Sequence, residues 1–86
     1  IMKYVDKDAE VYIQAIQFNG ENLAEVCDFV GKENLVIKSG LPHITIILKD
    51  NSQFKVQPTA YIVKNSHGLL SPWANEVFNE YYLAVE

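Results

Sequence analysis

The chain has 86 residues, with seven lysines and no arginine against 11 Asp and Glu, for a net charge of −4, and 49% of it is hydrophobic. That balance describes one small globular domain with a thin core, burying only about 60% of the surface its unfolded chain exposes, and it excludes a disordered chain. It excludes a membrane span too, since no apolar run approaches ~18 residues, and it argues against a nucleic-acid partner, because phosphates demand a basic stripe and the lysines here are never adjacent.

Residues 1–9 read as a loose N-terminal arm, with Ile1 an addition ahead of a natural start at Met2. Lys3, Asp6, Lys7, Asp8 and Glu10 leave no room for the apolar centre of a secretory signal. The single Cys27 cannot close an intramolecular disulfide, and both features together predict a reducing bacterial cytoplasm.

Glu10 to Phe18 is rich in Val, Ile, Tyr and Phe and reads as a strand. Val11, Ile13 and Ala15 fall on one face and Ile16 and Phe18 on the other. That switch predicts a bulge near Gln14-Ala15 or a strand buried on both sides. After the Asn19-Gly20 turn, Leu23, Val26, Cys27 and Val30 recur at i, i+3, i+4, i+7, the stripe of an amphipathic helix. Asn22 is placed to cap it, with Glu25 completing a capping-box pair, and Gly31 to end it at positive φ.

Leu35 to Lys38 reads as a short strand, broken by Ser39-Gly40-Leu41-Pro42. His43–Lys49 and Gln53–Gln57 alternate apolar and polar around Asp50-Asn51-Ser52, which predicts an antiparallel hairpin with Ile44, Ile46, Leu48, Phe54 and Val56 on its dry face. Pro58 interrupts the ladder. Tyr61–Lys64 is a strand, 65–68 a turn, and 69–71 a further extended piece. Ser71-Pro72 reads as a helix start, with Trp73, Val77, Phe78 and Tyr81 as the helix's apolar stripe. Tyr82–Val85 is apolar enough to return to the sheet. The fold class is therefore α+β: a small, mostly antiparallel sheet of four to six short strands with one or two short helices packed on it, in a single domain, 1–86.

Few residues carry chemistry. Cys27 with His43 or His67 has the composition of a nucleophile pair, but Cys27 lies on the helix's apolar stripe, where a free thiol packs as a small hydrophobe. His43 opens a strand on its wetter face, and His67 sits in a turn. Spacings of 16 and 24 residues between Cys27, His43 and His67 match no structural zinc pattern, and Asp50-Asn51-Ser52 is too short a ligand set for calcium. No metal, no cofactor and no catalytic set is expected. The glycines are isolated turn markers and none begins a phosphate-binding loop. The aromatic residues are the richer set. Tyr and Trp are enriched at binding hot spots, and Trp73, Phe78, Tyr81 and Tyr82, with Tyr61 and His67, are the candidate contact residues.

Three stretches carry a family likeness: Ala15-Ile16-Gln17-Phe18-Asn19-Gly20-Glu21-Asn22; His43-Ile44-Thr45-Ile46; and Pro58-Thr59-Ala60-Tyr61-Ile62-Val63-Lys64, followed by Gly68, Pro72, Phe78 and Tyr81. Over about residues 10–82 the chain resembles a family of small proteins encoded by phages and prophages of Gram-positive bacteria. The family pattern has Pro-Gly-Asp where this chain has Pro58-Thr59-Ala60, a turn glycine where it has Asn65, and Tyr-Pro-Cys where it has Ser71-Pro72-Trp73. The resemblance implies a phage or prophage source and no particular activity. Three readings of function follow. The first is a non-enzymatic accessory protein that binds a host protein, a defence component or its small-molecule signal. The second is an oligomeric structural or assembly component of a phage particle, pairing sheet edges across a two-fold axis as a homodimer. The third is a small enzyme centred on His67 or His43 with a nearby carboxylate.

Overall fold

The computed structural model describes residues 2–7 and 11–85; the readings placed on Ile1, Asp8 and Glu10 lie outside the described residues. The elements run β1 (Met2–Asp6), β2 (Tyr12–Gln17), α1 (Leu23–Val30), β3 (Leu35–Val36), β4 (Ile44–Ile47), β5 (Gln53–Val56), β6 (Tyr61–Lys64), β7 (Leu70–Trp73), α2 (Asn75–Tyr81) and β8 (Tyr82–Val85), with a short 3-10 turn at Lys32–Asn34 ahead of β3. The fold is α+β. Its strands form two antiparallel sheets, a five-stranded one in the order β7-β6-β2-β1-β8 and a three-stranded one in the order β3-β4-β5.

Strand β2 organises both cores. Its ladder to β1 runs from Met2↔Ala15 to Val5↔Tyr12, and its ladder to β6 from Gln14↔Lys64 to Gln17↔Tyr61. Both registers are continuous, so the change of apolar face at Ala15-Ile16 marks a strand buried on two sides, with no bulge. Ile13 and Ala15 join Tyr61, Val63 and Phe78 under α2. Ile16 and Phe18 join Val26, Phe29, Val30, Ile44, Ile46, Val56 and Ile62, where α1 and the three-stranded sheet pack on the opposite face. The hairpin register Ile44↔Val56 and Ile46↔Phe54 puts the predicted dry face inward.

Four local readings are corrected. Residues 2–6, expected as part of an arm, form β1, which lies between β2 and β8. In α1 the buried residues are Val26, Phe29 and Val30, while Leu23 and Cys27 are only half-buried at the rim. The stripe is turned toward Phe29, because α1 must face both sheets. Asn22 makes no cap. Its amide instead donates to the Gln17 carbonyl (2.8 Å) and accepts from the Asn19 amide (3.0 Å), which ties down the β2–α1 turn. Ser71 and Pro72 do not begin a helix. They belong to β7, paired with Val63 and Ile62, and α2 starts three residues after Pro72, at Asn75. Proline is tolerated there because β7 is an edge strand and its missing N–H need not face a partner.

The turn after Pro58 holds a β-branched residue at positive φ. The Ala60 amide donates to the Gln57 carbonyl (3.1 Å), which closes a four-residue turn, and Thr59 within it has φ 84°. This is the arrangement of a type II turn, with Pro at its second position and a residue at its third that favours glycine. The amide of Thr59 also donates to the Phe18 carbonyl (2.7 Å), so the turn is locked to the end of β2. A β-branched residue in this conformation costs about 1–2 kcal/mol. Thr59→Gly is therefore expected to raise stability by about 1 kcal/mol, after the entropy that glycine gives the unfolded chain is set against the relief of strain. Urea unfolding measures it, and an unchanged or lower midpoint counts against a strained turn. Asn65 takes no positive φ; among the residues of its turn that role falls to Gly68 (φ 79°), while the Asn65 side chain accepts from the His67 and Leu69 amides (2.9 and 3.0 Å).

Candidate aromatic contact site

Five of the six candidate contact residues come together. Tyr61 and Phe78 stack at 3.9 Å between ring centroids, and Phe78 stacks on Tyr82 at 5.0 Å. Trp73 meets Tyr82 edge-on at 5.3 Å and Tyr81 at 6.1 Å. Tyr4, from the strand that sequence reasoning read as an arm, completes the group, edge-on to Phe78 at 4.8 Å and to Tyr61 at 6.1 Å. The cluster is built by register. Tyr61 lies opposite Trp73 on β6–β7, Tyr4 opposite Ile13 on β1–β2, and α2 lowers Phe78 onto them.

The group divides by depth. Phe78 is 0% exposed and Tyr61 9%. These two cannot contact a partner, and their place among the contact residues is corrected: they are core, because α2 covers this face of the sheet and drives Phe78 into it. Trp73 and Tyr82 are half-buried, and Tyr81 is 46% exposed. Val77, four residues before Tyr81 on the same face of α2, is 42% exposed. The accessible site is therefore the rim Trp73, Val77, Tyr81 and Tyr82, with exposed Glu76 and Glu80 beside it. The Trp73 indole N–H donates to Ser71 Oγ (3.2 Å), which fixes the ring. Lys7 holds the far end of α2, its amide donating to the Tyr81 carbonyl and its ammonium to the Asn79 carbonyl, both at 3.0 Å. A cation there also suits the negative end of the helix.

Two hydroxyls of the cluster are perturbed. Burial, then the charge and hydrogen bond of Tyr61, push Tyr4 above the usual tyrosine value of 10.0. Burial, then the Asp6 carboxylate, do the same to Tyr82. The unfolded chain thus releases these protons first. The associated stability is complete below about pH 10 and falls as the pH climbs through the raised folded-state values. Denaturation at pH 9 and above is expected to show a smaller alkaline loss for Tyr82→Phe than for the wild type. Equal losses would show that Tyr82 ionises as freely when folded as when unfolded.

His67 stands apart from this cluster. It lines a cavity of about 330 Å³ with Val30, Leu48, Lys49, Lys64 and Leu69, where the end of α1 meets the β4–β5 loop and the β6–β7 turn. The Lys64 ammonium there donates to the Phe29 carbonyl and lies 4.5 Å above the Phe29 ring. His43 lines a different cavity, on the outer face of the three-stranded sheet, and Cys27 lines neither. Among the described residues no group of three or more His, Cys, Asp or Glu is placed to hold a metal ion, and no helix is long and apolar enough to cross a membrane. No family model, curated protein or solved structure matches the chain.

Sequence reasoning missed Tyr4, for which the charged residues around it gave no strand signal. It also missed a charge asymmetry that is plain in the sequence. Residues 34–75 hold four lysines and one carboxylate, Asp50, while the other ten carboxylates fall outside that stretch.

Proposed function

We propose that this protein is a non-enzymatic accessory protein of a phage or prophage, acting inside the bacterial cell by binding a protein partner through the rim Trp73, Val77, Tyr81 and Tyr82. The observation that carries the reading is the exposure of Tyr81 and Val77 on α2 beside rings anchored in the core. Rigid aromatic anchors bind at low entropic cost. The partner's chemistry follows from the flank: residues 74–86 contain three glutamates and no lysine, so the complementary surface is an apolar patch edged by basic side chains. The resemblance to small phage and prophage proteins supports a host or phage protein as that partner. The test is co-purification from infected host cells with the wild type, Tyr81→Ala, the Trp73→Ala/Tyr81→Ala pair and a Tyr12→Ala control. A partner that is kept by the control and lost by folded rim variants supports the reading; the same partner retained by all four overturns it.

One observation favours a second reading, self-association. Strand β8 is an edge of the five-stranded sheet, and its side chains, Tyr82, Leu83, Ala84 and Val85, carry no charge or proline to discourage pairing. A second copy adding antiparallel to β8 would extend the sheet, as an assembly component requires. Light scattering decides: a dimer that Ala84→Pro dissolves supports it, and a monomer at high concentration overturns it.

A further inference from the structure

The outer face of the three-stranded sheet holds a cavity of about 430 Å³ lined by Val36, Lys38, Leu41, His43, Thr45, Gln53, Phe54 and Lys55. Register explains why the outward side chains converge; Phe54, paired with Ile46, turns its ring to the core and borders the cavity from the strand between Gln53 and Lys55. Val36 lies opposite Thr45, and Thr45 opposite Lys55, so one cross-strand row carries all three. His43 precedes Thr45 by two residues and Lys38 follows Val36 by two, which returns both to the same face. The lining contains two lysines, a histidine, a hydroxyl and an amide, and no carboxylate. In a chain of net charge −4 that is a local reversal of sign. It belongs to the stretch 34–75, where Asp50 is the one acid, and Asp50 does not line the cavity. The side-chain hydrogen bonds of lysines among the described residues belong to Lys7 and Lys64, so Lys38 and Lys55 face the cavity uncommitted.

We infer that this cavity binds a small phosphorylated organic molecule. The charge set calls for an anion: two ammonium groups act as point charges on a phosphate, with Thr45 and Gln53 as neutral hydrogen-bond partners. The volume fits a compact molecule, since small-ligand sites occupy about 300–1,000 Å³. Val36 and Leu41 supply an apolar wall for a ring-sized body beside the phosphate. An extended polyanion such as DNA is disfavoured, because it would run from this face into the carboxylates that fill the rest of the chain.

The test is an amide-shift titration by NMR of the full chain with AMP, ribose 5-phosphate and adenosine, repeated on Lys38→Gln and Lys55→Gln. Both lysines are exposed, so both variants keep the fold, and their unliganded spectra check this. The expected result is saturable movement of the Lys38, Thr45 and Lys55 amides with the two phosphates, binding of AMP at least tenfold tighter than adenosine, and about tenfold weaker AMP binding in each variant, the scale of one charge-assisted hydrogen bond. Three results each overturn the inference: no movement at these amides with either phosphate, equal affinity for AMP and adenosine, or unchanged AMP affinity in both variants.

Discussion

Replacing Phe78 with alanine is expected to destabilise the protein by about 3–5 kcal/mol, the range for removing a fully buried ring. Phe78 is the one residue of α2 that is wholly buried, and it touches Tyr4, Tyr61 and Tyr82 at once. Nothing nearby can collapse into the space, because those three rings are held on β1, β6 and β8. A domain of this size has about 4–13 kcal/mol in total, so the variant loses a large share of it. α2 is only seven residues long and cannot hold itself without that anchor. Thermal unfolding followed by circular dichroism checks this; a midpoint within a few degrees of the wild type would show that the cluster does not organise this face.

Ile62→Ala is expected to cost about 2–5 kcal/mol through the other core. Ile62 is fully buried on β6, opposite Ile16 on β2 and Pro72 on β7, and its side chain lies where the five-stranded sheet meets α1 and the three-stranded sheet. The loss has a second consequence. Strands β2 and β6 supply residues to both cores, Ile16 and Ile62 to one and Ala15 and Tyr61 to the other. Damage to either core is therefore felt in both, and each variant should unfold in a single transition. Separate transitions for the aromatic and aliphatic halves, seen by tyrosine fluorescence and by amide dichroism, would contradict this coupling. Ile47→Ala, half-buried on the outer face of the three-stranded sheet, serves as the comparison and should cost under about 1 kcal/mol.

Most of this architecture is written in local pattern. Period-two alternation locates the β4–β5 hairpin and its inward face, and the change of face at Ala15-Ile16 leaves a bulge or a strand between two cores, which the continuous ladders of β2 decide for the second. Failures came where two mechanisms share one sequence signal. Ser71-Pro72 suits a helix start and an edge strand equally, and only the ladder to Val63 and Ile62 decides between them. The true start of α2, at Ala74-Asn75, has no side-chain cap to announce it. Asn22 has the chemistry of a cap but spends it on the turn before the helix. The contact site was legible in residue type and not in depth. Phe78 and Tyr81 lie three apart on one helix, yet one is fully buried and the other nearly half exposed, because depth depends on where the sheet lies beneath α2. The basic cavity shows the reverse. Its charge signature is visible in the sequence, but only the strand register brings Lys38, His43 and Lys55 to one place.

On the proposed function, one aromatic cluster divides into rings that fold the protein and rings that meet a partner. The most direct test compares Tyr81→Ala with Phe78→Ala, measuring thermal midpoint and partner capture on the same samples. Tyr81→Ala is expected to keep a midpoint near the wild type and lose the partner, whereas Phe78→Ala loses the midpoint first. If Tyr81→Ala retains the partner, or unfolds as readily as Phe78→Ala, the division between core and contact surface is contradicted.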